Sequence, residues 1–255
     1  MRDRTINQLN EINRRFYLRS AEEFHRTRRG PWRGFCRLLE LARPALLHRD
    51  PLRVLDVGCG NGRFLRLLDF PDGSVEYVGV DFSPPLLLRA RRLPRPARSK
   101  PSFLELDLLR EPLDARLWSS RFDLIVVLGL LHHLPSHAFR RRLLQDCAGL
   151  LAPGGLLAFS CWDFRRAARL KRRRAAWSLA GGEAPIDESD LEMGDELLCF
   201  GRDPDALRYC HFADSAERRA LVAATGLKPR AEFRADGREQ DLNHYFLLER
   251  SWSGP

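Results

Sequence analysis

Val54-Leu-Asp-Val-Gly-Cys-Gly-Asn-Gly62 decides the reading of this 255-residue chain. A short apolar run, Arg53 to Val57, breaks into glycines spaced G-x-G-x-G, and an acid, Asp56, stands two residues before the first of them. Glycine lets the backbone turn tightly and come close to a ligand, and the helix expected next, Phe64 to Leu68, presents free N–H groups. A dinucleotide site reads G-x-G-x-x-G, so that a pyrophosphate rests on the helix start. The spacing here, with its acid, suits a nucleoside-bearing ligand that carries an ammonium and a carboxylate instead.

Outward from this turn the chain alternates strands and helices. Glu76–Asp81 reads as the second strand and Pro85–Arg92 as the next helix, with Ser83-Pro84 as cap and first turn. Ser102–Leu106 is a third strand. Phe122–Leu128, apolar almost throughout, is a central fourth. His137–Leu151 is a helix stopped by Pro153-Gly154-Gly155, and Leu156–Cys161 is a fifth strand. Ser215–Thr225, Pro229–Arg234 and Asn243–Glu249 restore the rhythm as helix, strand and strand. This pattern predicts an α/β fold with a doubly wound, seven-stranded, mostly parallel sheet.

Residues 1–48 form a separate helical segment. Leu9, Ile12, Phe16 and Phe24 supply one apolar face, Phe35, Leu38, Leu39 and Ala42 another, and Gly30-Pro31 divides them. The main domain is then 49–255. Within it, residues 163–210 break the rhythm with an arginine-rich helix, Arg165 to Trp177, and an acidic stretch. They read as an insertion over the carboxyl edge of the sheet, where such folds bind ligands.

Composition narrows the class. Hydrophobic residues make up 44% of the chain, which suits a packed core. No apolar run is long enough to span a membrane, and Met1 to Asn10 is too polar for a signal peptide. The six cysteines form no CxxC pair and read as reduced thiols of a cytoplasmic protein, with no metal site. The net charge of +9 favours an anionic partner such as nucleic acid. Lysine occurs only at Lys100, Lys171 and Lys228, so the choice of arginine follows codon bias; the excess of base over acid does not.

Two further acids follow the glycine turn in order. Asp81, ending the second strand, can accept both ribose hydroxyls of a nucleoside. Asp107, after the third, can accept from an adenine amino group while Leu106 and Leu108 sandwich the ring. Phe82 and Leu128 complete the expected pocket with Gly58, Cys59, Gly60, Asn61 and Gly62, Cys59 as a small apolar filler.

These pieces, with Phe122-Asp-Leu-Ile and Leu150-Leu-Ala-Pro-Gly-Gly155, resemble the class I, Rossmann-like methyltransferases over residues 50–162. The resemblance implies S-adenosylmethionine as cofactor. A finer one reaches the flanks. Phe24-His-Arg-Thr27-Arg28-Arg-Gly-Pro31-Trp32, Leu131-His132-His133-Leu134 with Arg140-Arg-Arg142, and Arg208-Tyr209-Cys210-His211-Phe212 resemble the tRNA methyltransferases that esterify a carboxymethyl group on wobble uridine. Residues 163–200 depart from that group. The resemblance implies tRNA as partner and, as in eukaryotic members, a small activating protein.

A carboxylate acceptor is already ionised and needs cations to hold it, a role this resemblance gives to Arg28, Arg208 and His211, with His132 and His133 at the lip of the fourth strand. A hydroxyl or amine acceptor would instead need a base, for which His132 or His133 serves. Trp32 and Trp162 are candidates to stack on a base. Three alternatives stay open: a small-molecule methyltransferase with the insertion as a lid, a non-catalytic cofactor- or RNA-binding module, and a nicotinamide dehydrogenase. The glycine spacing and the Pro153-Gly-Gly155 turn disfavour the last.

Overall fold

The structure is a computed structural model that describes residues 1–27, 30–70, 73–113, 117, 121–182, 184–201 and 203–252, the side chains of Phe24 and Pro204 excepted. The described chain runs α1 (Asp3–Thr27), α2 (Arg33–Leu46), β1 (Leu52–Val57), β2 (Val75–Asp81), α3 (Pro84–Arg92), β3 (Ser99–Glu105), β4 (Phe122–Val127), α4 (His137–Leu150) and β5 (Leu151–Trp162). It continues through α5 (Ala168–Lys171), β6 (Arg174–Ala175), β7 (Asp195–Phe200), β8 (Asp203–His211), α6 (Ser215–Ala224), β9 (Lys228–Ala235) and β10 (Asn243–Glu249).

Seven strands form one sheet in the order β3-β2-β1-β4-β5-β10-β9. Neighbours from β3 to β5 are parallel, and β10 is antiparallel to both β5 and β9. The expected doubly wound, mostly parallel sheet is therefore present. Its central strands are apolar on both faces because each face is covered. Leu55, Val57, Ile125, Val127, Leu157 and Phe159 meet α4 and α6 through Leu144, Cys147 and Leu221. Val54, Leu124, Val126, Leu156 and Ala158 alternate with them and meet α2 through Phe35, Leu38 and Leu46.

Residues after β5 leave this sheet and build a second one, β6-β7-β8, antiparallel throughout. α1 lies along β8, burying Leu9 and Ile12 against Leu197 and Tyr209. β8 also meets the turn Leu131–His133 that follows β4, which puts the insertion at the carboxyl edge of the main sheet as expected.

Three local expectations are corrected. The arginine-rich helix from Arg165 to Trp177 shrinks to the single turn α5, followed by strand β6. Its arginines are held by acids outside the segment: Arg165 and Arg174 both reach Glu196, and Arg166 reaches Asp241. The Arg173 carbonyl accepts from the Cys199 amide, so strand pairing overrides helix propensity. Phe64–Leu68 holds only a 3-10 turn at Leu65–Leu67. Ser83 occupies the cap position of α3, but its side chain makes no capping bond.

The insertion is fastened by a buried ion cluster. Arg140 of α4, 1% exposed, donates to the Leu134 carbonyl, to Glu217 at 2.8 Å and to Glu192 at 2.6 Å. His211 at the end of β8 reaches Asp195 through Nδ1 and Glu217 through Nε2, each at 2.7 Å. Burial opposes its charge and so does Arg140, but the bonds to Asp195 and Glu217 outweigh both and raise its pKa. Burial would raise Glu217 as well, yet His211 and Arg140 hold it down at about 2.

The signs give a window. Glu217, depressed, contributes stability above its ordinary pKa of 4.5 that is lost as pH falls toward 2. His211, raised, contributes fully below its ordinary 6.5, and that part is lost as pH rises through its folded value. Thermal unfolding across pH should therefore show the cluster's contribution greatest between about 4.5 and 6.5. Glu217→Gln should lower stability in that window by about 1–3 kcal/mol and flatten the acid limb. Parallel curves for the two proteins would refute the assignment.

Candidate active site

The glycine turn is folded onto the end of β2. The amides of Gly58 and Cys59 donate to the Val80 carbonyl, and the Gly60 amide donates to the Asp81 carboxylate at 2.8 Å. Gly58 requires its glycine: φ is +75°, and a Cβ there would lie 3.0 Å from Leu130. Gly60, at φ +54°, has open space where a side chain would stand, so this backbone is bare to a ligand. The second Asp81 oxygen accepts from the Ser83 amide at 2.9 Å. Burial pushes the Asp81 carboxyl up to about 6 despite those donors. Asp56 lies deeper and accepts from the Tyr77 hydroxyl at 2.6 Å. Burial pushes it to about 7, with Tyr77 pulling the other way.

One narrow pocket gathers Asp56, Gly58, Cys59, Gly60, Asn61, Asp81, Phe82 and Leu128, eight of the eleven expected cofactor residues. Cys59 is buried, and its sulfur fills the space beside Gly79. Gly62 is displaced to the back of the turn, where it packs on Ala90. Asp107 and Leu108 do not line this pocket. Asp107 accepts from Arg14 of α1 at 2.9 Å, and Leu108 borders a separate hollow with Pro112 and Phe139. Leu106 belongs to the core under the sheet, so the expected Leu106–Leu108 sandwich is not formed.

A larger cavity of about 720 Å³ adjoins the pocket and shares Tyr17, Arg63, Gly129 and His133 with it. His132, His133 and Arg208 line the cavity as the sequence suggested, with Thr27, Pro31 and Trp32 at its N-terminal side. His211 does not line it; the ion cluster holds it instead. Arg28 lies outside the described residues. His133 is fixed from both sides: Nδ1–H donates to the Tyr209 carbonyl at 3.0 Å, so Nε2 accepts from the Tyr17 hydroxyl at 2.9 Å. His132 stands between His133 and Trp162, with ring centres 4.1 and 4.9 Å away. Sequence reasoning missed Tyr17 and Arg63. Arg63 had a signal in its place directly after the glycine turn, whereas Tyr17 only looked like part of an amphipathic helix.

Arg208 is 4% exposed, and its guanidinium sits among Trp162, Phe200 and Phe16 at 4.8, 5.4 and 5.6 Å from the ring centres. Its Nε has no hydrogen-bond partner, and among the described residues no carboxylate pairs with it. It lines the cavity and presents positive charge to whatever occupies that space.

A parallel sheet whose first turn presents bare glycine backbone beside a buried carboxylate, next to a cavity with a caged cation, defines a nucleoside-cofactor enzyme acting on a second substrate. Comparison with known proteins agrees. A methyltransferase-domain family model matches residues 55–157. The trans-aconitate 2-methyltransferase of Methylobacterium radiotolerans is 36% identical over 215 residues, 74% of this chain and 76% of that protein. The probable tRNA methyltransferase 9B of Mus musculus is 26% identical over 144 residues; the match covers 55% of this chain and 29% of that protein. Magnesium protoporphyrin IX methyltransferase from Synechocystis shares the fold, with a TM-score of 0.60 at 18% identity over 95% of this chain and 99% of that one. The chain belongs to the S-adenosylmethionine-dependent methyltransferases.

The residues fit that cofactor: Gly60 leaves open space beside the turn, and Asp81 lines the same pocket, where a carboxylate would accept from ribose hydroxyls. Asp81→Ala removes this acceptor and the anchor of the Gly60 amide together. Calorimetry should show S-adenosylhomocysteine binding weakened by about 100-fold with the melting temperature changed by only a few degrees. Unchanged affinity would remove Asp81 from the site.

Proposed function

We propose that this protein transfers the methyl group of S-adenosylmethionine to a carboxylate oxygen, forming a methyl ester. Arg208 carries the reading: a buried cation with no acid of its own faces the acceptor cavity. When bound, the cofactor supplies a methyl group on a positively charged sulfur. The chain's residues need only hold the acceptor in line and keep water out. His133 fits a reaction without a general base, because its two nitrogens are occupied by Tyr209 and Tyr17. Arg33, Arg169 and Arg173 add positive charge around the cavity. Glu23 and Asp236 oppose it, but Asp236 accepts from Gly34, Asn243 and Tyr245.

For the acceptor itself, the carboxymethyl group of a tRNA wobble uridine is supported by the net charge of +9 and by Thr27, Pro31 and Trp32, which belong to the segment resembling those enzymes and line the cavity. The likeness to the mouse tRNA methyltransferase points the same way. On this reading a small activating partner is part of the working enzyme. A small polycarboxylic acid is the second reading, favoured by the higher identity and longer coverage of the trans-aconitate methyltransferase.

Labelled cofactor offered with bulk tRNA and, separately, with trans-aconitate and related acids decides between them. Either acceptor should yield a product that releases methanol in mild base, as an ester does. Arg208→Met should raise the acceptor KM by at least about 10-fold while leaving S-adenosylhomocysteine affinity unchanged. A base-stable product, or an unchanged KM, would overturn the carboxylate proposal.

A further inference from the structure

Arg63 directly follows the glycine turn and borders both the narrow cofactor pocket and the acceptor cavity. Its guanidinium lies 4.0 Å from the Trp32 ring centre and 5.1 Å from that of Phe35. Nη1 is fully enclosed and has no hydrogen-bond partner. Two acids stand near without pairing to it. Asp236 is engaged by neutral donors, and Asp56 by Tyr77. Burial lowers the Arg63 pKa to about 10, so the group keeps its charge at neutral pH. A charged group resting against an indole, with an enclosed N–H left without an acceptor among the described residues, is an incomplete anion site.

Two anions compete for it: the carboxylate of the acceptor and that of the cofactor's amino-acid tail. The wall of the narrow pocket separates them. Among the described residues lining that pocket, Arg63 is the only arginine or lysine, and the glycine turn and Asp81 line it too. The acceptor cavity has Arg208 for its own anion. Asp56 lines the same pocket and offers it a carboxylate. Resting on the cofactor identified above, and independently of which acceptor is methylated, we propose that Arg63 binds the methionine carboxylate of the cofactor, that Asp56 faces its ammonium, and that Trp32 fixes the plane of the guanidinium. The Pro31-Trp32 end of the N-terminal segment thereby serves the cofactor as well as the acceptor.

The test compares S-adenosylhomocysteine with 5′-methylthioadenosine, which has the same nucleoside and thioether but no amino-acid tail. Binding of each is measured by calorimetry to the wild type, Arg63→Met, Arg63→Lys and Arg208→Met. Arg63→Met should weaken S-adenosylhomocysteine by about 10- to 100-fold and leave methylthioadenosine within about 2-fold. Arg63→Lys, which keeps the charge and loses the fork, should recover part of the loss. It carries the test if the methionine variant does not fold. Arg208→Met should leave both affinities unchanged. Equal weakening of both ligands would show damage to the pocket and overturn the proposal, as would unchanged S-adenosylhomocysteine affinity. Loss confined to acceptor KM would overturn it too, moving Arg63 to the acceptor without touching the case for Arg208.

Discussion

The hydrogen bond from the Gly60 amide to the Asp81 carboxylate joins the two strand ends on which the site depends. It requires β1 and β2 to be parallel neighbours in fixed register, with Val57 opposite Val80, so that one strand's turn meets the other's last residue. It also requires a turn that no side chain obstructs, which the left-handed Gly58 and the bare Gly60 provide. Given that contact, Asp81, the glycine backbone and Arg63 fall around one pocket without any long-range design. The rest of the sheet, buried on both faces, makes that geometry rigid.

The chain is generous with ion pairs elsewhere, and that sets Arg63 and Arg208 apart. Arg165, Arg166 and Arg174 each find an acid at 2.7 Å, and Arg140 finds two. Arg63 and Arg208 instead rest on aromatic rings, which hold a cation while leaving its hydrogen-bonding edge open. An aromatic cradle keeps the charge available; a carboxylate would cancel it. Arg165 has both kinds of neighbour, Glu196 and the Phe212 ring, whereas Arg63 and Arg208 have only the rings among the described residues.

Sequence periodicity made the main sheet legible because buried parallel strands must be apolar throughout, as Phe122–Val127 is. Glycine spacing and the acid ending the second strand pointed to residues that the fold gathers around one pocket, because each is set by its own position at a strand end; Asp107, tied to Arg14, is not among them. The insertion was opaque. Its helix signal, Arg165 to Trp177, reflected local propensity, while the strand β6 follows from contacts with Glu196 and Cys199 more than twenty residues away. His211 looked like an acceptor ligand because Arg208 to Phe212 resembles a segment of the tRNA methyltransferases. Only the closure of β8 against α4 and α6 assigns it to Asp195 and Glu217. Tyr17 was hidden in the same way, since its partner His133 is 116 residues distant.

α1 connects what the sequence left apart. Along one helix, Arg14 holds Asp107 near the third strand, Tyr17 meets both Phe82 and His133, and Asn13 bonds the His133 carbonyl and the Tyr209 amide. The N-terminal segment and the insertion are thus coupled walls of one cavity, because β8 carries Arg208 and Tyr209 and rests on α1. The sheet determines where the methyl group is offered. α1 and β8 line the cavity beside it through Tyr17 and Arg208, and the Tyr209 amide donating to Asn13 ties the two elements together.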